Sequence, residues 1–368
     1  MKKLTVLILA VCICFSLLVG CGNQTGPAGT QSGTTSTPSG TQQSGSTGSN
    51  SGTVENKKPL RVAVMSFYCS SLLDVILEEN WPEKDNLPIE YLMFSNGATI
   101  NEAMGEWDVA ITGGAFIYAL ANYDCKLIAH QIDGTNGNNV MARVGDPIID
   151  TRGAVVPGIC GTPELVEGKT ILTAFGTTAH YTLLQWLQKI GADPNKCNFI
   201  NQDQATVYQS WVAGEGDYCV LTAPYCFYDW TGDSEVLATL RDVGGQLMEA
   251  CIATKDAYEN RYEDVVTFAE WIYRATNKLA ADKDYAFRIV KNYYMKAGKN
   301  VSDEDVLAEI NNKPFITSDM AKQLNFGEFA ISYGDYYIEQ GMIDPSRRDA
   351  IKQNIAADVF QDALSRFK

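Results

Sequence analysis

Two stretches of this chain repeat the same order of local signals. Leu60-Arg61-Val62-Ala63-Val64-Met65 is the apolar run of a buried strand; residues 66–71 form a short loop, and residues 72–79 take helical spacing. Residues 169–175, Gly176-Thr177-Thr178 and residues 179–190 repeat strand, loop and helix. In that helix Leu183, Leu184, Leu187 and Ile190 share a face and Gly191 stops it. Each stretch then carries a Gly-Glu-x-Asp tetrad ahead of another strand. Gly105-Glu106-Trp107-Asp108 precedes Val109-Ala110-Ile111-Thr112, and Gly214-Glu215-Gly216-Asp217 precedes residues 218–222. Each glycine suits the end of a helix, and each aspartate the start of a strand. Alternating strands and helices build α/β layers, so the repeat predicts two lobes of similar build, each around a largely parallel sheet.

The remaining chain frames those lobes. Its 368 residues suit two domains, and 45% apolar with 20% charged residues is a globular composition. Lys2 and Lys3 precede an apolar run over residues 4–19, too short for a comfortable membrane span, that ends in Leu18-Val19-Gly20-Cys21. This is the layout of a secretory signal over residues 1–20 with a lipobox-like end, which predicts acylation of Cys21. From Gly22 to Thr53 there is no charge and a single alanine among Gly, Ser, Thr, Gln, Asn and Pro. Such a segment cannot bury a core, and residues 21–58 read as a flexible tether with a mean reach of about 30 Å. The expected location is the extracytoplasmic face of the cell membrane.

Charge excludes one class of partner. The net charge is −15, and −17 without the two leader lysines, so nucleic acid is repelled. Two histidines, His130 and His180, leave little for a His-based metal or acid–base cluster. Ten cysteines include Cys12 and Cys14 in the leader and Cys21. The other seven, Cys69, Cys125, Cys160, Cys197, Cys219, Cys226 and Cys251, are odd in number, contain no CxxC pair and read as small core residues. Residues 265–279, 285–295 and 326–338 have helical apolar spacing and read as scaffold packed on a lobe.

Three of these runs resemble signatures of the nitrate/sulfonate/taurine-type ABC solute-binding proteins. They are Asp108-Val109-Ala110-Ile111-Thr112-Gly113-Gly114; Leu165-Val166-Glu167-Gly168-Lys169-Thr170-Ile171 with Gly176-Thr177-Thr178-Ala179-His180-Tyr181; and residues 214–217 through Ala223-Pro224-Tyr225. In order they span roughly residues 59–275, and the second is the most specific. The resemblance implies a periplasmic-binding-protein type II fold with a ligand cleft between two lobes. Lobe 1 would hold residues 59–137 and 255–368, and lobe 2 residues 138–254, with the return crossing near residues 248–254. It also implies a monomer that needs no cofactor and delivers a small solute to ABC permease subunits. Relatives of this type carry nitrate, alkanesulfonates, taurine or pyrimidine-like compounds. Others are enzymes of thiamine or quinone precursor pathways, which keeps a catalytic alternative open beside that of a surface sensor module.

Ligands of open α/β sheets sit at the carboxyl ends of the strands. Four such ends are legible: Ser66-Phe67-Tyr68, Gly113-Gly114-Ala115-Phe116, Gly176-Thr177-Thr178 with His180, and Thr222 with Tyr225. Gly176-Thr177-Thr178 at a helix start is an anion seat, although Thr177 or Thr178 also qualifies simply as a cap. Gly113-Gly114 permits close approach of a ligand, or only a tight turn. These loops carry no Lys or Arg, and Tyr68 and Phe116 suggest a pocket with aromatic walls. For an enzyme His180 would be the acid–base group, but no Ser-His-Asp arrangement, metal-ligand spacing or phosphate loop accompanies it. The anchor is directly testable. Cys21→Ala is expected to release the protein from membranes or leave its leader uncleaved, as read by fractionation and N-terminal sequencing. Membrane association that persists with cleavage elsewhere contradicts the lipid anchor.

Overall fold

The structure, a computed structural model, describes residues 57–228 and 232–367; the leader, Cys21 and the tether up to residue 56 lie outside these. Ten strands run in chain order: β1 Leu60–Met65, β2 Ile89–Phe94, β3 Val109–Thr112, β4 Lys126–Asp133, β5 Asn138–Arg143, β6 Thr170–Thr173, β7 Asn198–Asn201, β8 Tyr218–Thr222, β9 Ser234–Thr239 and β10 Met248–Ala253. They form two five-stranded sheets, ordered β2-β1-β3-β10-β4 and β7-β6-β8-β5-β9. This is the two-lobed α/β architecture expected.

Each sheet is parallel except for one strand. In the first sheet β10 lies antiparallel between β3 and β4; in the second β5 lies antiparallel between β8 and β9. Both are the first strands after the chain has changed lobe. Here one boundary differs from expectation. Met248–Ala253 belongs to the first sheet, so lobe 1 resumes at residue 248 and not at 255. Ala250, Cys251, Ile252 and Ala253 are fully buried between two neighbours, and only pairing, not composition, decides which sheet receives them.

The Gly-Glu-x-Asp tetrads do more than start strands. Gly105 and Gly214 take the left-handed conformation, φ 97° and 89°, that ends the preceding helix. Each aspartate then locks the neighbouring strand by a reciprocal pair of bonds. Asp108 N–H donates to Arg61 O at 2.8 Å while its carboxylate accepts from Arg61 N–H at 2.9 Å. Asp217 N–H donates to Thr170 O at 2.8 Å and its carboxylate accepts from Thr170 N–H at 2.8 Å. The same clamp thus fixes β1 to β3 and β6 to β8.

The helical C-terminal third packs mainly on lobe 1. Helix Tyr262–Ala281 buries Val265, Phe268, Trp271 and Ile272 and lies against β4. No helix among the described residues is long and apolar enough to cross a membrane. The seven cysteines expected in the core carry free thiols; six are buried and Cys197 is half-buried.

The two clamps differ in burial, which sets their worth. The Asp108 side chain is 4% exposed and also binds the Arg61 and Arg261 guanidinium groups, whereas that of Asp217 is 38% exposed and adds only Lys169. Asp108→Ala is expected to cost about 3 kcal/mol, because it removes the buried carboxylate shared by Arg61 and Arg261, which keep Gly105 O and Asp264 with two backbone carbonyls respectively. Asp217→Ala should cost about 1–2 kcal/mol. Urea titration of the two variants checks the order, and equal losses would contradict it.

Candidate functional site

Between the lobes lies a cavity with about 580 Å³ of unfilled space, part of it open to solvent. Its walls are the carboxyl ends of parallel strands from both sheets. Lobe 1 supplies Phe67 after β1, Asn96-Gly97 after β2 and Gly113-Gly114-Ala115 after β3. Lobe 2 supplies Thr177-Thr178 after β6, Gln204 after β7 and Thr222-Ala223 after β8. The crossing residues Gly137-Asn138, with Met65, Cys69, Leu247, Glu249 and Lys313, complete it.

Seven of the residues singled out in the sequence line this cavity: Phe67, Gly113, Gly114, Ala115, Thr177, Thr178 and Thr222. Gly114 sits where the lobes touch. A Cβ there would come within 2.6 Å of both the Thr178 methyl carbon and the Tyr333 hydroxyl. The other six lie off the wall. Ser66 continues the strand pairing, its N–H donating to Phe94 O at 3.0 Å. Tyr68 is a core residue, stacked on Phe315 at 4.9 Å with its hydroxyl donating to Lys313 O. Phe116 is buried among Tyr333, Phe329 and His130. The aromatic walls suggested by these two rings are therefore absent from the cavity, because both rings turn into the lobe 1 core. Gly176 forms the turn before the helix at φ 68°. His180 stacks on Phe175 at 4.5 Å, and burial lowers its pKa to about 4. Tyr225 stacks on Tyr208 at 5.2 Å.

Four helices begin at the wall, after strands β2, β3, β6 and β7, and they are not finished alike; helix Phe116–Tyr123, which follows the lining residue Ala115, has no side-chain cap. Asn96 caps helix Gly97–Glu102 by accepting from Ala98 and Thr99 N–H at 2.9 and 3.0 Å. Asp203 caps helix Gln204–Val212 through Ala205 and Thr206 N–H at 3.0 and 3.2 Å. Helix Thr178–Ile190 has no side-chain cap, for the Thr177 hydroxyl donates backward to Ala174 O at 2.6 Å. The simple capping role considered for these threonines is therefore not what the structure has. Free N–H groups and the positive dipole end of a thirteen-residue helix are left at the cavity wall.

Charge enters the site from the C-terminal third, which looked like scaffold alone. Lys313 is buried with its Nζ 3.0 Å from both Glu249 and Glu309, and Glu309 also accepts from the Tyr294 hydroxyl. Burial opposes the Lys313 charge, but the two carboxylates outweigh it and hold its pKa above the ordinary lysine value. Burial raises the Glu309 pKa, and Lys313 offsets only part of that. Lys299 packs on the lining residue Phe67, its Nζ 3.3 Å from that ring's centre and 5.5 Å from that of Tyr225 in the other lobe. Burial lowers its pKa to about 7. Asn96-Gly97 could have been found from its turn dipeptide after β2. Glu249 and Lys313 carry no local sequence signal at all.

No family model matches the chain. A protein of Brachyspira hyodysenteriae, named as a candidate ABC transporter periplasmic binding protein, is 26% identical over 310 residues, 83% of this chain and 90% of that one. The taurine-binding periplasmic protein of Escherichia coli is 22% identical over 246 residues, 65% of this chain and 73% of its own. In fold, the alkanesulfonate-binding protein SsuA of Xanthomonas axonopodis pv. citri, solved with bound MOPS, gives a TM-score of 0.62 at 17% identity, covering 81% of this chain and 97% of that one. The relatives and structural neighbours of this two-lobed chain are thus periplasmic binding proteins of ABC transporters, in the nitrate/sulfonate/taurine group.

Proposed function

We propose that the chain is the solute receptor of an ABC importer, taking a small organic solute with an acidic end into the cleft and presenting it to the permease. The observation that carries this reading is the uncapped start of helix Thr178–Ile190 at the wall of an inter-lobe cavity. Unpaired N–H groups at a positive helix end receive a carboxylate or sulfonate without a cationic side chain. The relatives' roles in transport support the same conclusion. Against the enzyme alternative, His180, its acid–base candidate, stacks on Phe175 outside the cavity. The two crossings between β4 and β5 and between β9 and β10 provide a hinge about which the lobes close on the solute. The receptor acts as a monomer on the extracytoplasmic face, held by a lipid on Cys21 through the tether of residues 21–58.

A thermal-shift screen against sulfonates, amino acids, pyrimidines and aromatic acids supplies the ligand. Thr178→Asp then places a carboxylate where the ligand's acidic group rests. Affinity by calorimetry is expected to fall by several kcal/mol, as for like charges brought together at an interface. The melting temperature should hold, because an acidic residue suits the first turn of a helix. A folded variant with undiminished affinity would show that no acidic group lies at this turn.

A further inference from the structure

Glu249 and Asn138 stand at the two places where the chain changes lobe. Asn138 is the first residue of β5, and Glu249 the second of β10. Both line the cavity and both are almost fully buried, at 2% and 6% exposure. Asn138 donates through Nδ2 to Gly134 O at 3.1 Å, and its Oδ1 accepts from no described residue. Glu249 pairs through Oε1 with Lys313, and its Oε2 accepts from no nitrogen or hydroxyl among the described residues. The Cys69 thiol, kept protonated by burial and by the Glu249 charge, also reaches this carboxylate as a donor, but a thiol is only a weak donor that does not replace an N–H or O–H.

The surroundings are built around this pair. A Cβ on Gly134 would lie 2.9 Å from Glu249 Oε1, and one on Gly137 would lie 2.7 Å from Lys313 Cδ. Glycine at both positions lets the crossing run beside the charged groups. The register of β10 against β4 shifts between Glu249 and Ala250, an irregularity of the kind that re-aims a side chain. Lys313 is already shared by two carboxylates, and the second oxygen of Glu309 is taken by the Tyr294 hydroxyl. The unfilled positions are thus two acceptors, one of them on a carboxylate. Buried acceptors left without donors are costly. A solute bringing only an anionic group would leave both orphaned and add repulsion; a protonated nitrogen supplies charge and donors together.

We infer that the cavity takes a small zwitterion, whose ammonium group donates to Glu249 Oε2 and Asn138 Oδ1 while its acidic group lies at the start of helix Thr178–Ile190. This rests on reading the cleft as the solute site, and adds the requirement for a cationic nitrogen. The test is calorimetry on the whole protein with matched acids: a panel of amino-carboxylic and amino-sulfonic acids, each beside its des-amino and N-acetyl forms. The tightest binder is expected among the free amines. Its des-amino and N-acetyl forms should bind about thirtyfold more weakly or worse, the scale for removing one partner of a buried charged hydrogen bond. Glu249→Gln should lower affinity for the amine by a similar factor and strengthen, not weaken, binding of the des-amino acid, since the variant removes the repelling charge. A tightest binder without a protonatable nitrogen, equal affinity for the N-acetyl form, or no binder in the panel overturns the inference. The ligand comparisons use the unaltered protein, so they decide even if Glu249→Gln fails to fold. If a des-amino anion binds best and Thr178→Asp still abolishes its binding, the cleft reading survives and the zwitterion does not.

Discussion

The arrangement of this molecule depends on the pairing of its two crossing segments. Residues 134–137 lead from the first sheet to the second and residues 240–247 lead back, and each is tied to the other. Gly134 N–H donates to Leu247 O at 3.0 Å, Leu247 N–H to the Thr135 hydroxyl at 3.0 Å, and Leu240 N–H to Asn138 O at 3.1 Å. Two bonded segments bend together more readily than they slide or separate. Because each crossing continues into a strand inserted antiparallel within a sheet, the strap is anchored deep in both lobes. The residues that flank these segments, Asn138 and Glu249, both line the cavity.

That geometry explains why the C-terminal third matters beyond packing. Helix Asp303–Asn312 presents Glu309 to Lys313, which follows it, and so places the buried ion group beneath the crossing. Helix Glu328–Glu339 contributes Tyr333, Tyr336 and Tyr337 to a seam against Tyr181 of lobe 2, with ring centres 4.7 to 6.0 Å apart. Tyr337 also donates its hydroxyl to Thr177 O at 3.3 Å, directly behind the uncapped turn. Aromatic contacts of this kind join the two lobes without a covalent link.

How much of this was legible depended on range in sequence. β1, β3 and β8 have the bounds expected, since apolar runs bordered by Gly and Asp are local signals. β10 was placed in the wrong lobe, because sheet membership is a contact between distant residues. Tyr68 and Phe116 follow strand ends as pocket aromatics would, but one enters a short 3-10 turn and the other opens a helix, and both turns carry the ring inward. The Thr177-Thr178 turn was visible as a strand–loop–helix join, whereas its lack of a cap was not. Glu249 and Lys313 were invisible, since a carboxylate and an amine far apart in sequence announce nothing until the fold brings them to 3.0 Å.

The positions of the polar features bear on how binding would drive closure. The uncapped helix start belongs to lobe 2, while Glu249 with Lys313 belongs to the strand and helices of lobe 1. A ligand can shift an open–closed equilibrium only by as much as it prefers one state over the other. A solute touching one lobe alone has no such preference. One that satisfies the helix start with one end and the lobe 1 acceptors with the other gains its second set of bonds only when the lobes meet. Gly114 marks how closely they meet, since even a methyl group there would strike Thr178 and Tyr333. On that reading closure would be restricted to solutes short enough to bridge the two features within the cavity, and length would select as well as charge.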